Sequence, residues 1–178
     1  MRDPTQQAKP YSRRLGGEAS YWSLGLLQTM LSEGKDTDGR FSLGEGLAPR
    51  GAEPPPHTHT REDEAFYILE GEITFRVGGQ TIEAGPGDYV WLPRGVEHSF
   101  EIKTEQGRSL VLFTPAGMEE AFKQLGEPAK SATLPPPPEG PPDVEKKVAV
   151  FEAYGVEFAP PPQQGGAHEG LFTRVSRR

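Results

Sequence analysis

The stretch Gly51–Gly71, GAEPPPHTHTREDEAFYILEG, sets two histidines one residue apart and a glutamate five residues after the second. Residues i and i+2 of a strand point to the same side, so His57 and His59 aim both imidazoles at one point. Glu64, at an odd spacing from His59, would face away on a continuous strand. A turn must therefore intervene, and the polar TRED of residues 60–63 supplies it. Glu64 then opens the next strand and shares its face with Phe66 and Ile68.

The same period of two runs outward on both sides. Between Tyr21 and Phe113 the apolar runs YWSLGLLQTML, RFSLGEGL, EAFYILEG, EITFRVGG, QTIEAGPG, DYVWLP, HSFEI and SLVLFT alternate with glycine-marked breaks, SEGKDTDG among them. Many short strands at such spacing predict an all-β antiparallel sandwich or barrel. In EITFRV, residues Ile73, Phe75 and Val77 share one face and Glu72, Thr74 and Arg76 the other. His98 begins a strand whose same-face successors, Phe100 and Ile102, are apolar and point inward, while Ser99, Glu101 and Lys103 face out. His98 can therefore join His57, His59 and Glu64 as a fourth donor. Two imidazoles and a carboxylate converging on one point suit an open-site divalent metal.

Composition bounds what such a site can do. The chain has 178 residues, enough for one domain with appendages and a real core. Gly 22 and Pro 19 favour turns, edges and tails, and much of that excess must lie outside the core. The expected division is a polar arm at 1–17, a strand domain at 18–115, a helical extension at 116–159 with a proline-rich spacer at 131–142, and a tail at 160–178. In the extension MEEAFKQL places Met118, Phe122 and Leu125 on one helical face, with Gly126 as a C-cap. Asp143 caps a second helix, DVEKKVAVFEAY, which Gly155 closes.

A net charge of −7 gives no sign of the basic field that binds phosphate backbones or anionic lipid, so neither nucleic acid nor membrane is an expected partner. With Cys 0 there is neither a disulfide framework nor a thiolate cluster, and any metal is held by nitrogen and oxygen. The start, MRDPTQQAKPYSRR, lacks an apolar signal region and no later run is long enough to span a bilayer; a soluble cytoplasmic protein is expected. Of the four histidines, His168 alone lies outside the pattern, in a glycine-rich tail, and reads as a solvated residue. Long N-terminal strands whose edges need cover lead to the expectation of a homodimer.

These spacings resemble a known family. Gly51, five residues, His57-x-His59, four residues, Glu64, six residues, Gly71 is similar to the first cupin motif at each fixed position. Gly87, five residues, Pro93-x-Gly95, two residues, His98 is similar to the second, with Ile102 where the family pattern closes on asparagine. The resemblance implies a cupin-type antiparallel β-barrel, or jelly roll, with short C-terminal helices. It also implies one divalent transition metal (Fe, Mn, Ni, Co, Cu or Zn) on His57, His59, Glu64 and His98.

Positions facing inward near the metal carry no lysine or arginine, and a small dianion would want one. Phe66, Phe75 and Phe100 are the pocket candidates, suited to an aromatic or phenolic ligand. YWSLGLLQTMLSEGKDTDGRF and AGMEEAFKQLGEPA with FEAYGVEF resemble the ends of single-domain quercetinase-like cupins. Quercetinases are metal-dependent dioxygenases that open the flavonol heterocycle and release carbon monoxide. That resemblance implies dioxygen as co-substrate and Glu64 as a catalytic base for the substrate's hydroxyl proton. Cupin enzymes of other chemistry, such as isomerases or other oxygenases, and non-catalytic small-ligand binders are the alternatives. A sensor would normally carry a helix-turn-helix or a basic face, neither of which is evident.

Overall fold

The structure, a computed structural model, describes residues 10–138 and 140–160. In chain order these form β1 (Ser20–Ser23), β2 (Leu26–Ser32), α1 (Gly34–Thr37), β3 (Ser42–Pro49), β4 (His57–His59), β5 (Asp63–Glu70), β6 (Ile73–Val77) and β7 (Gln80–Ala84). There follow β8 (Tyr89–Leu92), β9 (His98–Ile102), β10 (Gln106–Thr114), α2 (Met118–Gln124), β11 (Gly126–Pro128), α3 (Val144–Ala153) and β12 (Val156–Phe158). A seven-stranded sheet runs β11-β1-β2-β3-β10-β5-β8 and a five-stranded sheet runs β12-β4-β9-β6-β7. The pairings are antiparallel, as the strand pattern predicts. None of the helices among the described residues is long and apolar enough to cross a membrane.

The period of two explains how the sheets close on each other. Ile73, Phe75 and Val77 of β6 and Ile102 of β9 are buried against Phe66 and Ile68 of β5 and Val90 and Leu92 of β8, a core drawn from both sheets. Arg76, on the opposite parity, is exposed. Thr74, expected to face solvent, is 2% exposed, because its hydroxyl donates to Glu83 Oε2 of β7 at 2.6 Å and is screened there. At Gly71 the backbone turns with φ +86, and a Cβ there would lie 2.6 Å from the Gln106 carbonyl oxygen, so only glycine lets β5 turn into β6 beneath β10.

The helical region differs from expectation in two places. SEGKDTDG is not merely a break: the Glu33 and Asp36 side chains form a capping box around the single turn of α1. Gly126 does not cap α2, which ends at Leu125 in a right-handed conformation; Gly126 enters the strand β11 and pairs with Ser23. The second helix is as read, with Asp143 accepting from the Lys146 amide at 2.9 Å and Gly155 following at φ +89.

The C-terminal extension is more than helical. Directly after α3 the chain adds β12 to the five-stranded sheet, beside β4. Between the helices, the described residues of 131–142 carry neither helix nor strand. Of the expected arm, residues 10–17 are described and docked, with Tyr11 bonded to Ser32 and Arg13 to Asp36. Residues 161–178 of the expected tail, including His168, lie outside the described residues.

Candidate metal centre

Both sheets contribute to the site. His57 and His59 lie on β4 and His98 on β9, and His57 is the direct cross-strand partner of His98. Glu64 comes from β5 in the opposing sheet. One donor atom from each of the four side chains lies within 4.8 Å of the others, and all four residues are buried. The turn between His59 and Glu64 is held from three sides. The Thr60 amide donates to the Gly155 carbonyl at 2.8 Å, the Gly95 amide to the His59 carbonyl at 2.9 Å, and the Arg94 amide to Asp63 Oδ1 at 2.8 Å. Gly95, in the turn that leads to His98, thus also fixes His59. Gly155 is required here, since a Cβ would press within 2.8 Å of Thr60 Oγ1.

Local bonds aim the rings. His57 Nδ1 lies 2.9 Å from the Pro55 carbonyl and His98 Nδ1 3.0 Å from the Val96 carbonyl, which fixes the protons on Nδ1 and leaves Nε2 as a lone-pair donor. Glu64 Oε2 approaches His59 Nε2 at 3.4 Å and His98 Nε2 at 3.3 Å. The His98 contact is not aligned as a hydrogen bond, and His98 Nε2 is buried without a hydrogen-bond partner. A buried, unpartnered nitrogen among three other donors fits a cation at their centre. Sequence reasoning missed Glu62, which is 4% exposed and whose Oε2 faces His59 Nδ1 at 4.0 Å. Neither of these two atoms has a hydrogen-bond partner. Its only signal was a polar residue inside a turn otherwise read as solvated.

The electrostatics suit ligation. Burial, reinforced by the neighbouring His98, lowers the His57 imidazole to about 4 and keeps it neutral near pH 7. Burial pushes the Glu64 carboxyl up, but the attraction of His59 and His98 outweighs it and holds the group at about 2, ionised. In His98 burial lowers the pKa and the Glu64 carboxylate more than reverses it, so the value is raised. Three imidazoles around a carboxylate form an N₃O set for a divalent transition ion.

A cavity opens from these donors and holds about 1200 Å³ of non-atom space, its mouth included. Phe66, Phe100, Phe113, Phe122, Phe151 and Phe158 wall it, and no lysine or arginine lines it among the described residues. Phe66 and Phe100 line the cavity. Phe75 does not line it: its side chain is fully buried behind them, ring centroids 5.2 Å from Phe66 and 5.8 Å from Phe100, while Ile73 of the same strand reaches the cavity. The other four phenylalanines were not read as pocket residues. Phe113 could have been found by the parity of β10; Phe122, Phe151 and Phe158 lie on segments whose docking no local period reveals.

Residues 45–119 match the family model described as Cupin domain. This segment is a cupin domain. The chain is 30% identical to quercetin 2,3-dioxygenase of Bacillus subtilis over 113 residues, which are 64% of this chain and 34% of that protein. It is 31% identical to quercetin 2,3-dioxygenase of Aspergillus japonicus over 86 residues, 46% of this chain and 25% of that protein. The matched stretches thus span only about a third and a quarter of the length of these curated relatives. Among solved structures, the Streptomyces nucleoside dehydratase Pac13 superposes with a TM-score of 0.50 at 15% identity, covering 70% of this chain and 95% of that one, a likeness of fold alone.

Proposed function

We propose that this cupin is a metal-dependent dioxygenase that takes a flavonol or a related phenolic enol, with His57, His59, Glu64 and His98 holding the metal. The observation that carries the reading is the cavity: it is walled by phenylalanines, carries no lysine or arginine among the described residues, and opens on the four donors. An anionic substrate would meet no counter-charge there except a bound metal, whereas a flat aromatic with an acidic enol hydroxyl meets apolar walls and a Lewis acid. The names of the Bacillus and Aspergillus relatives support the same reaction class.

When bound, the metal would supply Lewis-acid stabilisation of the substrate's enolate oxygen. The chain's own groups do the rest. Phe66 and Phe100 orient the ring and exclude water, and the neutral His57 imidazole donates without adding charge. Glu64, ionised and buried, accepts the proton of the substrate hydroxyl on a carboxylate oxygen. Dioxygen is the oxidant, and both of its atoms enter the products.

The test is oxygen uptake with a flavonol such as quercetin, run on protein loaded in turn with iron, manganese, cobalt, nickel and copper. Turnover with at least one metal is expected, and Glu64→Gln loses turnover more than it loses metal, because an amide offers an oxygen but is no base. Absence of uptake with every metal would rule out this reading and leave a cupin of other chemistry or a ligand binder. Turnover per bound metal unchanged in Glu64→Gln would make Glu64 a ligand only.

A further inference from the structure

Away from the metal donors the cavity lining includes the polar residues Gln28, Glu45 and Ser109. Gln28 of β2 faces into it, and its side-chain oxygen is buried without a hydrogen-bond partner. A buried carboxamide oxygen left unpaired is unfavourable, and such an atom in a ligand cavity marks where a ligand's polar atom goes. Beside Gln28 the wall carries Ser109 of β10 and small residues of β3. The inward residues of β3 are Ser42, Gly44, Gly46 and Ala48, and a Cβ at Gly46 would meet nothing within 4 Å.

Register fixes how far this point lies from the metal donors. Glu64 pairs with Phe113 and Phe113 with Ser42, so Ser42 stands in the donors' own row. Gln28 pairs with Gly46, Gly46 with Ser109, and Ser109 with Ile68, a row four residues further along both β10 and β5. Four residues of strand rise about 13 Å, and neighbouring strands add about 4.8 Å each. A single phenolic ring cannot bridge from the donors to Gln28; a fused ring system with a pendant ring can. The group that meets Gln28 is uncharged, since no lysine or arginine among the described residues lines the cavity and a carboxamide cannot balance a charge among apolar walls. A carboxamide both donates and accepts, as does a phenolic hydroxyl.

We propose that Gln28 determines specificity by hydrogen-bonding a phenolic hydroxyl at the end of an elongated, planar aromatic substrate remote from the metal, the ring lying over the bare strand face at Gly46. This rests on the reading of the cavity as a phenolic substrate site, and deepens it to polyhydroxylated flavonols. Selectivity comes from the polar group left unpaired when a substrate lacks that hydroxyl.

The experiment compares quercetin with 3-hydroxyflavone, which keeps the chelating oxygens and lacks the remote hydroxyls. Dissociation constants are measured under nitrogen on the purified protein. The wild type should bind quercetin about tenfold or more tighter, and Gln28→Leu should erase that preference while leaving 3-hydroxyflavone affinity and the melting temperature unchanged. Gly46→Val should weaken both ligands by filling the floor. Should Gln28→Leu not fold, Gln28→Met carries the same comparison. Equal binding of the two flavonols by the wild type, a preference that survives in Gln28→Leu, or no binding of either overturns the assignment. If the preference depends on Gln28 but no metal gives oxygen uptake, the dioxygenase reading falls and the subsite stands.

Discussion

The described residues form two apolar cores, and the metal donors lie where they meet. The first joins the sheets through Phe66, Ile68, Ile73, Phe75 and their neighbours, side chains that alternate along adjacent strands. The second is assembled from Phe113, Met118, Ala121, Val150, Phe151 and Val156, with Leu24 and Phe158 packed against it, drawn from segments spread over more than a hundred residues of chain. His59 stacks toward Phe113 of this second core at 5.5 Å between ring centroids, and His57 toward Phe158 at 6.1 Å. Thus the first core aligns the donors, and the second closes the wall of their cavity. The link is β12, whose Val156 and Phe158 pair with His59 and His57 and spare the histidine strand from being a sheet edge.

If the second core were a mere appendage, damaging it would leave the site intact. Phe151 is 8% exposed and packs edge-on against Phe122 and Phe158. Phe151→Asp removes that ring and buries a charge, and should cost about 4 kcal/mol or more. Metal affinity should fall with it, because α3 leads through Gly155 into β12. Urea unfolding alongside metal titration checks both. A destabilised variant with unchanged metal affinity would separate the cores.

The two cores also differ in how much of each could be read from sequence. Strand parity places Phe66, Ile68, Ile73 and Phe75 inside, and parity with the glycine and proline spacings brings the four donors together, because sheet geometry is local and has a period of two. It does not reveal that Val156–Phe158 is a strand, since three residues carry too little period and their partner is about a hundred residues away. Phe75 marks the other limit: parity tells which face a side chain takes, not whether the space before it is filled or empty. Glu62 was missed because the charge in its turn suggested solvent, while the packing of Gly117 and Glu119 beside it encloses the carboxylate.

A change confined to the first core's end of the site should do the reverse of Phe151→Asp. His98 is 2% exposed and its ring sits 4.5 Å from that of His57. His98→Ala should lower metal affinity by more than about 100-fold, beyond the usual effect of losing an outer partner, while the domain stays folded. Metal analysis after dialysis, with circular dichroism as the control, decides it. Full metal occupancy would remove His98 from the donor set.

The smallest expected effect separates the polar join from both cores, and it is a matter of pH. In metal-free protein the Glu64 carboxyl is held at about 2 against an ordinary 4.5. A depressed carboxyl stabilises the fold fully above the unfolded value, and that contribution is lost as pH falls from about 4.5 through 2. His57, held near 4 against 6.5, must stay neutral to remain buried, so its share is lost in a higher window, from 6.5 down to 4. His98, raised, runs the other way and adds stability as pH falls toward 6.5, so long as Glu64 is ionised. Chelator-treated wild type should therefore lose stability in two steps on acidification, the lower on the order of 2 kcal/mol. Glu64→Gln should lack the lower step and keep the upper, since an amide does not titrate. Urea midpoints measured from pH 7 down to the lowest pH at which the fold survives give the comparison. Equal slopes for the two proteins below pH 4.5 would mean that acid destabilisation comes from carboxylates elsewhere, such as Glu33 beside Lys123 and Lys35, whose pKa is lowered because its lysine contacts outweigh the opposing effect of burial.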